Sequence, residues 1–106
     1  YDAIFSANTL HIMPWETVER LFAGFPGVLS AGAKVAIYGP FNYGGRFTSD
    51  SNAAFDAGLR ERAPHQGIRD FERVNELAAK AGLSLIEDRA MPSNNLCVVW
   101  QCTGGL

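Results

Sequence analysis

Residues 2–38 decide the fold. They run Asp2-Ala-Ile-Phe-Ser-Ala-Asn8, then Pro14 with Val18, Leu21, Phe22 and Phe25 behind it, then Lys34-Val-Ala-Ile-Tyr38. Ala3-Ile4-Phe5 is a continuous apolar run, which predicts a strand buried on both faces of a parallel sheet. Pro14 suits the first turn of a helix, where a fixed φ and a missing N–H do no harm. The next apolar residues fall at i, i+3, i+4 and i+7, one face of an amphipathic helix. Glu16 and Glu19 favour its positive end, and Pro26 ends it. Lys34–Tyr38 predicts a second buried strand, stopped by Gly39-Pro40.

Working outward, Asn42-Tyr-Gly-Gly45 reads as a turn and Ser51 to about Arg62 as a helix, with Phe55 and Leu59 stacked at i, i+4. The irregular stretch between Gly39 and Asp70 has the length of a lid or binding loop. Asp70 is placed as an N-cap before the apolar stripe Phe71, Val74, Leu77, Ala78 and Ala81, and Gly82 as the stop. Leu83 to about Glu87 and Leu96 to Cys102 predict two more strands. The Pro92-Ser-Asn-Asn95 link between them is too short for a helical crossover, so they are expected to be antiparallel neighbours or an antiparallel insertion. The order β-α-β-(α)-α-β-β predicts an α/β fold with a mainly parallel sheet.

The 106 residues carry 9 basic and 11 acidic side chains, a formal charge of −2, with 47% hydrophobic residues. This composition excludes intrinsic disorder. The basic residues are scattered, which argues against nucleic acid as a partner, and no apolar run reaches the roughly 18–20 residues of a membrane span. Cys97 and Cys102 are five apart in one strand and face opposite sides, so they are read as free thiols in a reducing, cytoplasmic setting. With His11 and His65 they form no metal-ligand spacing.

In open α/β sheets, ligands gather beyond the carboxyl ends of parallel strands. The polar residues there are Ser6, Asn8, Thr9 and His11 after the first strand, and Tyr38, Gly39, Pro40, Phe41, Asn42 and Tyr43 after the second. Ser93, Asn94 and Asn95 precede the last. Short amides and backbone groups suit a polar small molecule, and aromatics a planar one. Each residue also has a purely structural reading: Asn8 and Thr9 as helix caps, His11 as a packed histidine, Tyr43 and Asn94-Asn95 as turn residues, Trp15 as packing. Arg60-Glu61-Arg62 reads as a solvated helix face. No GxSxG nucleophile elbow, P-loop or carboxylate dyad is present, which favours chemistry by a bound cofactor.

The run Tyr1-Asp-Ala-Ile-Phe-Ser-Ala-Asn-Thr-Leu-His-Ile12 resembles the fourth-strand motif of class I S-adenosylmethionine-dependent methyltransferases. Val28-Leu-Ser-Ala-Gly-Ala-Lys-Val-Ala-Ile-Tyr38 is similar to the turn and fifth strand that follow it there. It carries Ser30-Ala31-Gly32-Ala33 where Lys-Pro-Gly-Gly is common. Together with Tyr-Gly-Pro-Phe-Asn and Pro-Ser-Asn-Asn-Leu, these segments resemble the domain-of-unknown-function 938 branch, also called methyltransferase-like 26, over about residues 1–102.

The resemblance implies a Rossmann-like methyltransferase sheet of which residues 1–106 supply strands four to seven, the last antiparallel. It implies S-adenosylmethionine (SAM) as cofactor, contacted by Ser6, Ala7, Asn8 and His11, and a small-molecule methyl acceptor over Tyr38, Gly39, Pro40, Phe41, Asn42, Tyr43, Asn94 and Asn95. His11 and Tyr43 are the candidate proton acceptors. The family's glycine-rich cofactor loop and its ribose-binding acid have no counterpart in these residues. The chain is therefore expected to be the C-terminal part of one methyltransferase-like domain, without the N-terminal cofactor-cradling half, and inactive alone. The alternative is a non-catalytic α/β module that pairs with a second copy through its exposed sheet edge. A nucleotide-sugar or flavin binder is a third reading, weakened by the absence of a phosphate-cradling loop.

Overall fold

The computed structural model describes residues 2–92 and 95–102. Its elements are β1 (Ala3–Ala7), α1 (Trp15–Gly24), β2 (Lys34–Gly39), β3 (Phe41–Asn42), α2 (Asp50–Arg62), β4 (Arg69–Asp70), α3 (Phe71–Lys80), β5 (Leu83–Met91) and β6 (Asn95–Cys102). A 3-10 turn at Phe25–Gly27, with Pro26 inside it, closes α1. The predicted elements are all present, with small shifts at their ends. β5 is longer than expected, running through Glu87-Asp88-Arg89 to Met91.

The main sheet has the order β1-β2-β6-β5. β1 pairs with β2 in parallel, while β6 is antiparallel to both β2 and β5. The last strand is thus both a neighbour of β5 and an insertion between β2 and β5. β1, β2 and β5 run the same way, so a sheet that reads as mainly parallel by strand direction is mostly antiparallel by pairing. A small second sheet joins β3 to β4 in parallel.

The core lies on one face of the main sheet. Val35, Ile37, Val98 and Trp100 are fully buried there against Val18 and Phe22 of α1 and Val74 and Ala78 of α3. Trp100 meets Phe22 edge to face at 5.7 Å, and its indole N–H donates to Asn75 Oδ1 at 2.9 Å. A buried indole needs such a partner, and this one ties β6 to α3.

β1 does not meet the expectation of burial on both faces. It forms the border of the sheet, and Phe5 is 68% exposed. Its register with β2 puts Ile4 and Ser6 on the core side with Val35 and Ile37, and Phe5 on the opposite side with Ala36. Among the described residues no helix covers that second face. Nor is any helix long and apolar enough to cross a membrane. Cys97 and Cys102 are free, as their spacing predicted.

Candidate functional site

The parallel pairing of β1 with β2 sets Ala7 beside Tyr38 at the carboxyl edge of the sheet. Beyond it, the Asn8 amide donates to the Tyr38 carbonyl at 2.8 Å. Asn8 takes a left-handed φ of 56°, a conformation asparagine tolerates better than most residues, and this turns the chain off the strand. The hydroxyls of Ser6 and Thr9 share a hydrogen bond of 2.6 Å. Asn8 and Thr9 do not cap α1, which starts at Trp15 behind Pro14 with no side-chain cap.

His11 is only 6% exposed. Its ring meets Phe55 of α2 edge to face at 5.4 Å, and its carbonyl accepts from the Gly67 amide at 2.9 Å. Burial, and then the nearby Arg69 charge, push its pKa below the ordinary histidine value. The imidazole is therefore unprotonated at neutral pH, the state a proton acceptor needs.

Tyr38 and Gly39, expected after the second strand, are the last residues of β2, and the side chains from Tyr38 to Phe41 divide between the two sheet faces. Tyr38 shares a face with Cys97, and its hydroxyl accepts from Asn95 Nδ2 at 3.2 Å. Gly39 and Pro40 are buried. Phe41 turns into the core against Phe71, 6.4 Å between rings, so its side chain faces packing rather than a ligand. Asn42 is also buried, with Nδ2 donating to Ile68 O at 3.4 Å and Oδ1 without a partner. Asn94 lies outside the described residues.

Tyr43 is placed by a tight hairpin. Gly44 and Gly45, at φ 57° and 74°, fit a type I′ turn that only glycine adopts freely, closed by reciprocal Tyr43–Arg46 backbone bonds. Its ring lies against Phe71, and its hydroxyl donates to Asp88 Oδ2 at 3.1 Å. Burial, the Asp88 hydrogen bond and the Asp88 and Glu72 charges push its pKa up to about 12. Tyr43 is thereby a hydrogen-bond donor at neutral pH, and His11 is the better-suited acceptor of a proton.

Sequence reasoning missed Asp56, Arg69 and Asp88. Asp56 sits on α2, where its buried carboxylate accepts from the Ile68 amide and from Arg60 Nε, both at 2.8 Å. Arg60 is thus not merely part of a solvated face. The isolated Asp-x-x-x-Arg spacing was the available signal, but such pairs are usually exposed and weak. Trp15 is covered by the Arg73 guanidinium 4.1 Å above its ring. Among the described residues, a shallow cavity of about 270 Å³ between α1 and α3 lies away from this edge, while one of about 190 Å³ on the open face of β5 and β6 adjoins it through Cys97, the neighbour of Tyr38. Among the described residues no group of three or more His, Cys, Asp or Glu could hold a metal.

The fold is that of the class I O-methyltransferases. An O-methyltransferase family protein from Burkholderia thailandensis matches with a TM-score of 0.83 at 16% identity, over 99% of this chain and 31% of its own. An O-methyltransferase family 2 protein from Planctomyces limnophilus, solved with apigenin, matches with a TM-score of 0.83 at 17% identity, over 94% and 30%. A methyltransferase of calicheamicin biosynthesis in its SAH-bound form matches with a TM-score of 0.76 at 19% identity, over 95% and 30%. The chain spans less than a third of the length of these proteins. The family model for proteins of unknown function DUF938 matches residues 1–102, and the chain belongs to that family.

Proposed function

We propose that residues 1–106 form the acceptor side of a SAM-dependent methyltransferase that acts on a small molecule in a reducing, cytoplasmic compartment. The observation that carries this reading is the convergence of the loops after β1 and β2 at one sheet edge, with an unprotonated His11 among them. The cofactor's methionine end fits the residues present. Ala7 and Asn8 are exposed at the end of a border strand, so the Asn8 side-chain amide can meet it, while the Asn8 backbone amide is held by Tyr38. The carboxylates near that edge, Asp88 and Glu72, are engaged by the Tyr43 hydroxyl and the Gly44 amide. Bound SAM would supply an electrophilic methyl group on a sulfonium. The chain's own part is to orient the acceptor and take its proton at a His11 ring nitrogen, while the Tyr43 hydroxyl, whose one hydrogen goes to Asp88, stays protonated and takes no part in the proton transfer.

NMR titration of the chain with SAM, to about 5 mM so that weak binding is seen, tests this. Shifts confined to the amides of Ser6 to Thr9 and His11 are expected. Absence of shifts, or shifts centred on β5 or on the α1–α3 groove, would overturn it.

A second reading has its own observation. β1 is a border strand with no proline, no charge within Ala3–Ala7 and an exposed Phe5, so it lacks the usual protection against edge pairing. On that reading the chain is a non-catalytic module that dimerises through β1. Sedimentation showing a monomer across a wide concentration range would rule it out.

A further inference from the structure

Arg69 is none of the residues expected to meet a ligand, yet it gathers the loop that carries His11. Its Nε donates to Leu10 O at 3.3 Å, and its Nη2 donates to Met13 O at 2.6 Å and to His65 O at 2.7 Å. These bonds use the single Nε hydrogen and both Nη2 hydrogens of the guanidinium fork. Two of the three carbonyls flank His11. The carbonyl of His11 itself is held by Gly67, two residues before Arg69. The guanidinium also lies 5.8 Å from the Trp15 ring centre, so the first turn of α1 joins the assembly. The backbone of Arg69 is fixed in turn by β4, which pairs it with Phe41.

The geometry points to Arg69 as a positioning residue that straps residues 10–13 to residues 65–70 and so sets where the His11 imidazole stands. This rests on the reading of the carboxyl edge as the acceptor site. Lysine could not replace it, because a compact ammonium lacks the rigid planar fork that reaches carbonyls of two loops at once. The strap also has an electrostatic consequence. Its cation acts on the His11 ring and adds to burial in disfavouring protonation. The other charges on the surrounding elements act on Arg69 too, Arg60 and Arg73 against its charge and Asp56 and Glu16 in favour of it. Asp56 and Arg60 of α2 pair with each other, Arg73 of α3 covers Trp15, and Glu16 of α1 acts on Arg69.

Amide hydrogen exchange and histidine ring titration, both by NMR on the 106-residue chain, test this without any cofactor. In the unmodified chain the Gly67 amide is expected to be protected about a hundredfold over an unstructured peptide. An unprotected Gly67 overturns the strap whatever the variants do. Arg69→Met and Arg69→Lys should each speed exchange at Gly67 by about tenfold, since both lose the fork. Only Arg69→Met should raise the His11 titration midpoint, since lysine keeps the charge. Wild-type exchange in Arg69→Lys, or an unchanged midpoint in Arg69→Met, would overturn the proposal. If Arg69→Met does not fold, Gly67 exchange in the unmodified chain and in Arg69→Lys decides. Failure of the methyl-transfer reading shows instead in the SAM titration, which these outcomes do not touch.

Discussion

At the scale of single residues, two buried polar groups make opposite demands on solvent. His11 is buried neutral, so the folded chain binds fewer protons there than the unfolded chain, whose histidine titrates near 6.5. Stability from this site is present above the unfolded value and is lost as pH falls through the lowered folded value. Urea midpoints at pH 7.5 and 5.5 should therefore drop more in the unmodified chain than in His11→Gln. Equal drops would mean the imidazole is not held neutral by the fold. Asp56 is 5% exposed and satisfies the buried Ile68 amide. Asp56→Ala leaves that amide unpaired and should cost about 2–3 kcal/mol in chemical denaturation. Asp56→Asn can still offer an oxygen to Ile68 and should cost about half as much. Its charge matters less, because Arg60 is more than half exposed and its ion pair is screened by solvent.

At the scale of elements, α2 depends on its ends more than its faces. It buries Asn52, Asp56 and Leu59, a mostly polar set, and makes little contact with the sheet. The Ser49 hydroxyl accepts from the Asn52 amide at 3.0 Å and starts the helix. Ser49→Ala should cost about 1 kcal/mol and speed exchange first in the opening turn of α2. The same contrast explains what could be read in the chain. α1 and α3 were legible because Val18–Phe22 and Phe71–Val74–Ala78 repeat at helical spacing against one core. α2 has no such stripe, and its true cap, Ser49, stands just before the segment that reads as helical. The far half of β5 was hidden by Glu87-Asp88-Arg89, charges that look like a turn but lie on an exposed border strand. Of the site, the strand-end loops followed from topology. Arg69 and Asp88 did not, because Tyr43 is 45 residues from Asp88, and Leu10 and Met13 are 59 and 56 residues from Arg69.

At the scale of the whole molecule, one helix layer covers one face of a four-stranded sheet, and that asymmetry sets the order of local stability. β2 and β6 are interior strands that present Val35, Ile37, Val98 and Trp100 to the helices. Their amides should exchange only through global unfolding. β1 has one neighbour, contributes Ile4 alone to the margin of the core and exposes Phe5. It can detach while the rest stays folded, so its amides should exchange at least about a hundredfold faster than those of β2. Concentration then separates two states of the border. If β1 pairs with a second copy, its exchange should slow as protein concentration rises, and Phe5→Lys should cancel that slowing, because a charge beside an edge strand opposes strand addition. If the border stays free, exchange of β1 is independent of concentration and insensitive to the lysine. β2 and β6 are unaffected in both cases, which makes them the internal reference for the measurement.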